Sequence, residues 1–227
     1  MASTTDVAST STRTVERALG LLAEVCGAGS ISLSECARRA NLPTSTALRL
    51  LRTLEQAGFV ARDGEGQFCA GPWLVRLGAT AFGNHELIRL AHPVLQRLVA
   101  ATGESAYLSG FGPGRTALYL AVVEGTHAIR HTSWVGRTLP LNGTAVGTAL
   151  LGQTPPAGWI GLRSKVEPDV TAVAAPIVRP AGVAGALSIV GPTYRIDDGR
   201  LHQYGQLLST EATALSARFE ATPPNRK

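Results

Sequence analysis

Apolar residues recur every three or four positions through much of the first hundred residues, and every second position in several later stretches. The first spacing is that of amphipathic helices, the second that of half-buried strands. Val15, Ala18, Leu19, Leu22 and Cys26 mark a first helix, with Thr14 as its N-cap and Gly27 and Gly29 at its end. Ser32-Leu33-Ser34-Glu35 reads as a capping box: the serine hydroxyl accepts from the Glu35 amide while the glutamate reaches back. It opens a short helix that runs to Ala40. Asn41-Leu42-Pro43 makes a turn, and Pro43 suits the start of a third helix over 44–57, whose core stripe is Ala47, Leu50, Leu51 and Leu54. Two short strands, 59–62 and 67–70, enclose the tight turn Asp63-Gly64-Glu65-Gly66.

Gly71-Pro72 breaks the chain. A helix to Phe82 follows, then a second break at Gly83-Asn84 and a helix over 86–101 that Pro93 bends. Period-two patterns predict strands over 106–111, 117–123, 128–134, 172–178 and 183–190. Asn142-Gly143-Thr144-Ala145 opens a helix that runs to Leu151, and Asp197-Asp198 starts the last one. The fold class is therefore α+β: an N-terminal winged helix-turn-helix, a linker helix, and an antiparallel sheet flanked by helices. The expected organisation is a disordered leader over 1–11, the winged unit over 12–71, and the linker helix over 72–84. A second domain covers 85–222, and a disordered tail 223–227. Linker helices of this kind often make a dimer contact; plain packing within the domain is the other reading.

The third helix carries the most chemistry. At about 100° per residue, Ser45, Arg49 and Arg52 lie opposite its Leu/Ala stripe, with Thr46 and Thr53 flanking them. Arginine can fork onto guanine O6 and N7, and hydroxyls can meet phosphates or base edges. The first turn of a recognition helix reaches deepest into the groove, and here it holds Thr44, Ser45 and Thr46. A solvated arginine face is the alternative. Arg62, at the base of the wing, either meets a phosphate or pairs with Asp63 or Glu65.

Composition supports that reading and narrows the rest. The net charge of +5 and the sequence pI near 9.6 favour a polyanionic partner. Aromatic residues make up only 5%, so the core of this 227-residue chain must be built from Ala, Val, Leu and Ile. Cys26, Cys36 and Cys69 have no zinc-ligand spacing and read as structural thiols of a reducing cytoplasm. No stretch of about 18 apolar residues suggests a membrane span, and the Ser/Thr/Ala-rich start lacks the pattern of a signal peptide. His85, His92, His127, His131 and His202 form no ligand motif, and no nucleophile elbow or phosphate loop is present. Enzymatic activity, a metal and a cofactor are not expected.

Taken in order, the blocks resemble an IclR-family regulator over nearly the whole chain. They are Thr14-Val15-Glu16-Arg17-Ala18-Leu19, Leu42-Pro43-Thr44-Ser45-Thr46-Ala47-Leu48-Arg49-Leu50-Leu51 and Glu55-Gln56-Ala57-Gly58-Phe59-Val60. Val135-Gly136-Arg137-Thr138-Leu139-Pro140-Leu141, Thr144-Ala145-Val146-Gly147-Thr148-Ala149-Leu150-Leu151, Ala174-Ala175-Pro176-Ile177 and Ala186-Leu187-Ser188-Ile189-Val190-Gly191-Pro192 complete the series. The resemblance implies a GAF-like effector domain, a homodimer or homotetramer, a pseudo-palindromic DNA operator and repression of a nearby catabolic operon. It also implies a small organic acid, aromatic acids included, as effector. Independently, the amides at Asn142, Gly143, Thr144 and Ala145 open a helix, where an anion is attracted; ordinary capping by Asn142 is the other reading. On the resemblance, Ser188 and Ala172 fall at sensor positions, and Glu167 or Asp169 stands for the family's acid. The segment 152–173 is shorter than in the family, which leaves open a DNA-binding oligomer without a working pocket.

Overall fold

The computed structural model describes residues 5–221, with side chains described from residue 12. The expected tail 223–227 and the first four residues of the expected leader lie outside the described residues. The chain divides into two units at Asn84/His85.

In the first unit, α1 spans Thr5–Ala28. Residues 5–11, expected as disordered leader, continue this helix, since neither Gly nor Pro interrupts the chain before Gly20. The buried face also differs from the expected one. Leu21 and Val25 are fully buried, whereas Val15 and Leu19 are 56% and 58% exposed and Cys26 is exposed. Two overlapping stripes satisfy the same 3–4 spacing, and packing against the neighbouring elements decides which one turns inward. After β1 (Ser30–Ile31), Ser32 caps α2 (Leu33–Arg39) by accepting from the Glu35 amide at 3.3 Å. The reciprocal half of the capping box is not made. The Glu35 carboxylate binds Arg38 and Arg39 at 2.6–2.8 Å, and those hydrogen bonds hold its pKa down at about 2.

α3 (Thr44–Gln56) buries Ala47, Leu50 and Leu51 against α1, Cys36, Val60 and Phe68. Each such leucine contributes about 1.5–3 kcal/mol by leaving water. Gly58, at φ 74°, ends the helix in the left-handed region while Phe59 N–H donates to Leu54 O at 2.9 Å, a Schellman-type stop. The wing is β2 (Val60–Arg62) and β3 (Phe68–Ala70), in a three-stranded sheet of order β1-β3-β2. Its turn closes on Asp63, which accepts from the Glu65 and Gln67 amides at 2.9 Å and from the Ser30 hydroxyl. α4 (Pro72–Gly83) buries none of its residues.

The second unit opens with α5 (Glu86–Thr102), which Gly103 ends at φ 72°. Six antiparallel strands follow: β4 (Ser105–Gly112), β5 (Thr116–Val123), β6 (Thr138–Pro140), β7 (Ile160–Arg163), β8 (Val170–Arg179) and β9 (Gly182–Pro192). Their order is β6-β5-β4-β9-β8-β7. α6 (Ala145–Leu150) lies between β6 and β7 in sequence, and α7 (Asp198–Ala221) closes the unit. Alternation along each strand sends Leu108, Val173, Ile177, Leu187 and Ile189 into the core built with α5 and α7. Ala117, Ala174 and Ala186 face the opposite way, toward α6. Gly147 lets α6 sit close: a Cβ there would fall 1.8 Å from the Leu141 carbonyl oxygen.

The strand expected over 128–134 does not form. β6 takes the edge of the sheet instead, and the segment between β5 and β6 turns His131 and Trp134 against Tyr107 and Tyr119. The segment before β8 contains β7, which the sequence pattern did not reveal because Gly161 interrupts a run of only four residues.

Candidate functional site

Two places bring chemistry-bearing residues together. The first is the solvent face of α3. Thr44, Ser45, Arg49, Arg52 and Thr53 are exposed, and Thr46 is half-buried. Among the described residues, neither the Arg49 nor the Arg52 guanidinium has an ion-pair or hydrogen-bond partner. No side chain caps the helix start, which leaves its first-turn amides without a side-chain acceptor. Arg62 differs. It pairs with Glu55 at 3.3 Å, donates to Gly66 O at 2.8 Å and lies 4.1 Å over the Phe68 ring. Its ion-pair partner is Glu55 rather than Asp63 or Glu65, because α3 runs alongside the strand that carries it.

The second is a small cavity of about 30 Å³ between the sheet and α6. Tyr119 from β5, Ala172 from β8 and Ser188 from β9 form its sheet wall, and Thr144 and Ala145 form its α6 wall. Small residues at 172 and 188 leave the space. Trp134 and His131, from the segment before β6, pack edge-on to Tyr119 and Tyr107, at 5.9 and 5.6 Å between ring centres. Glu167, on the short turn between β7 and β8, completes the wall and places a carboxylate oxygen 3.3 Å from His131 Nε2. His131 Nδ1 lies 2.6 Å from the Tyr107 hydroxyl, which donates to Thr132 O at 2.6 Å.

Burial sets the protonation pattern. It raises the Tyr107 phenol well above its usual value and pushes Tyr119 up to about 12, with the Glu167 charge adding to both. It lowers His131, against the opposing pull of Glu167. Ser188 is 1% exposed, and its hydroxyl has no partner among the described residues. Such an orphan is uncommon in a finished core.

Two family models match this chain: the IclR helix-turn-helix domain over residues 14–64, and the bacterial transcriptional regulator IclR C-terminal domain over residues 79–159. The chain belongs to the IclR family. The family consists of transcription regulators with an N-terminal helix-turn-helix and a C-terminal effector domain. The transcriptional repressor IclR of Escherichia coli is 33% identical over 127 residues, 55% of this chain. The chain spans less than half of that repressor's length, 46%. A putative IclR transcriptional regulator from Silicibacter sp. has the same fold, with a TM-score of 0.78 and 25% identity over 93% of this chain and 98% of its own. An IclR homolog from Microbacterium hydrocarbonoxydans, complexed with 4-hydroxybenzoate, has a TM-score of 0.75 at 21% identity, over 92% of this chain and 100% of its own.

Within this IclR-family fold, the expected sensor residues divide. Thr144, Ala145, Ala172 and Ser188 line the cavity. Asn142 and Gly143 are exposed beside it, and Thr144, not Asn142, caps α6 by accepting from Gly147 N at 3.1 Å. Asp169 does not line it. Its backbone is left-handed, at φ 59°, and its carbonyl accepts from Thr193 N. Of the two acids considered, Glu167 is the one at the cavity. Tyr119, His131 and Trp134 were missed. Spacing could not find them, because they meet only once the sheet is assembled; a histidine and a tryptophan three residues apart in an aromatic-poor chain were the one available signal.

Proposed function

We propose that this chain is a DNA-binding transcriptional repressor whose DNA affinity responds to a small organic molecule held in the cavity of the second unit. The observation that carries the DNA-binding half is the α3 face, with two arginines that no described residue engages. Uncapped first-turn amides on the same helix suit a phosphate. Residues 12–71 are the DNA-binding domain in this reading, with contacts from Thr44, Ser45, Thr46, Arg49 and Arg52, while Arg62 buttresses the wing. Residues 72–84 link it to the sensor domain, 85–222.

Self-association is supported by α4, which leaves Trp73, Val75, Leu77 and Phe82 exposed. Apolar surface of this extent on one short helix favours a partner, and a second copy would present two winged units to a pseudo-palindromic operator. Ligand binding then acts by linkage, through the relative placement of the two DNA-binding units. The unpartnered Ser188 hydroxyl in the cavity wall supports a ligand there, and the ligand held by the Microbacterium homolog supports an organic molecule of modest size. No described helix is long and apolar enough to cross a membrane, in keeping with work in the cytoplasm.

One observation favours a second reading. A cavity of about 30 Å³ holds a water or two but no aromatic ring, as a protein that had lost sensing would show. Fluorescence anisotropy on the DNA upstream of its own gene, with and without small organic compounds, separates the two. Specific binding that a compound weakens supports the sensing repressor. Specific binding that none alters supports the second reading, and absence of specific binding removes both.

A further inference from the structure

His131 and Trp134 reach the cavity wall from the connection over 124–137, which contains neither helix nor strand. Backbone bonds key its two ends to the fold. Thr126 N–H donates to Gly103 O at 3.0 Å, and Gly136 N–H donates to Tyr119 O at 2.9 Å. Among the described residues, no backbone-to-backbone hydrogen bond ties 127–135 to the sheet. Side chains hold that stretch instead. Arg195 Nη2 donates to Ile129 O at 2.8 Å, Ser105 Oγ to His131 O at 3.0 Å, and the Tyr107 hydroxyl to Thr132 O at 2.6 Å. Three carbonyls around His131 are thus fixed by three side chains rooted elsewhere in the fold.

The Ile129 contact is only as firm as the guanidinium that makes it. Arg195 stands in the short 3-10 turn after β9, and Glu104, at the start of β4, grips it through two hydrogen bonds of 2.7 and 2.8 Å. This fork fixes the plane of a guanidinium as well as its place. Nη1 donates to the Tyr194 hydroxyl at 2.9 Å, so every guanidinium nitrogen is engaged. Glu104 is 1% exposed. A Cβ at Gly191 would fall 2.5 Å from Glu104 Oε2, and one at Gly125 would fall 2.5 Å from Gly103 O. β9 therefore closes tightly on the carboxylate, and the start of the connection closes tightly on the backbone that carries it. Ser105 is fully buried, and its hydroxyl also accepts from Gly125 N at 3.0 Å, so one side chain grips the connection at two points. Desolvation offsets much of the attraction in a buried ion pair. Such a pair adds little stability over an apolar replacement, and what it leaves is the geometry it fixes.

We propose, resting on the sensor reading above, that Glu104, Arg195 and Ser105 are positioning residues of the sensor site. None of the three lines the cavity. They hold the backbone over 129–132, and through it His131 and Trp134, in the wall that a ligand would meet.

The test uses the full-length protein without ligand. Glu104→Leu combined with Arg195→Met removes both charges together, so that neither is left buried alone. Ser105→Ala is the smaller second variant. Amide exchange is read by NMR at Thr126 and Gly136, with Val173 and Leu187 as core references. The cross-relaxation peak between the Trp134 and Tyr119 rings, whose centres lie 5.9 Å apart, reports the wall itself. In the double variant, exchange at Thr126 and Gly136 should rise at least about ten-fold relative to the core amides, because a charge-assisted bond to the connection is gone. The Trp134–Tyr119 peak should weaken with it. Wild-type exchange and a wild-type ring contact in the folded double variant overturn the proposal. So does a rise shared equally by Val173 and Leu187, which would make the pair an element of overall stability alone. Should the double variant not fold, Ser105→Ala decides by the same outcomes. No ligand enters either measurement, so failure here leaves the sensor reading standing, and that reading fails separately, on the DNA-binding response to small compounds.

Discussion

Replacing Arg49 and Arg52 tests the DNA-binding face most directly. The two side chains lie within about 60° of Ser45 and Gln56 around α3, and the four residues span about 16 Å along its axis. That length suits a helix laid in a major groove. Both guanidiniums are exposed and engage no described residue, so Arg49→Ala and Arg52→Ala should leave thermal stability within about 0.5 kcal/mol of wild type. In a dimer each substitution removes two contacts. If these are phosphate contacts, the slope of log affinity against log salt flattens by about 1.8 per substitution. Across a fourfold rise in salt, that flattening is about ten-fold less loss of affinity than wild type shows. If they are base contacts, each costs about 1–3 kcal/mol on the operator and little on scrambled DNA. Anisotropy titrations on both duplexes over a salt series distinguish the cases. Wild-type affinity and wild-type slope in both variants, with melting unchanged, would refute the assignment of α3 as the recognition helix.

Further expectations follow from particular contacts. Arg62→Ala should weaken binding less specifically than Arg49→Ala and lower the stability of the first unit, since it removes the Glu55 pair and the Phe68 contact; melting and anisotropy measured together check this. His131 has its folded pKa below the unfolded value of about 6.5, so as pH falls through that value the unfolded chain gains a proton that the fold refuses. Stability should therefore drop on acidification, by at most about 1.4 kcal/mol per pH unit, and level off below the folded pKa; His131→Gln should flatten this dependence between pH 7 and 5. Gly147→Ala should destabilise the second unit by about 1–3 kcal/mol, because the added methyl meets the Leu141 backbone, and chemical denaturation would show it. Glu104→Ala should cost about 3–5 kcal/mol by the same measure, since the carboxylate is 1% exposed and holds Arg195 by two hydrogen bonds of 2.7 and 2.8 Å.

Local pattern was enough for α3 and the wing. Ala47, Leu50 and Leu51 turned inward and Arg49 and Arg52 outward as their spacing required, and the Ser32 cap and the Asp63 turn formed where short-range chemistry placed them. It failed where two stripes shared one helix. Val15, Leu19 and Cys26 fit the period of α1 as well as Leu21 and Val25 do, and only the position of the neighbouring elements chose between them. It failed again over 128–134, which is no strand but a connection that packs His131 and Trp134 against Tyr107 and Tyr119 of the sheet.

The amino-acid order by itself determined the helices, the wing, the strand faces and the free arginines of α3, because each follows from contacts within a few residues. The cavity is a different kind of object. Tyr119, His131, Trp134, Glu167 and Ser188 come from four separate stretches, and their protonation, their spacing and the unpartnered Ser188 hydroxyl exist only when a six-stranded sheet brings those stretches together. Long-range pairing also selected Glu167 over Asp169: the turn before β8 carries one carboxylate to the cavity wall, while the other's backbone is left-handed and its side chain does not line it.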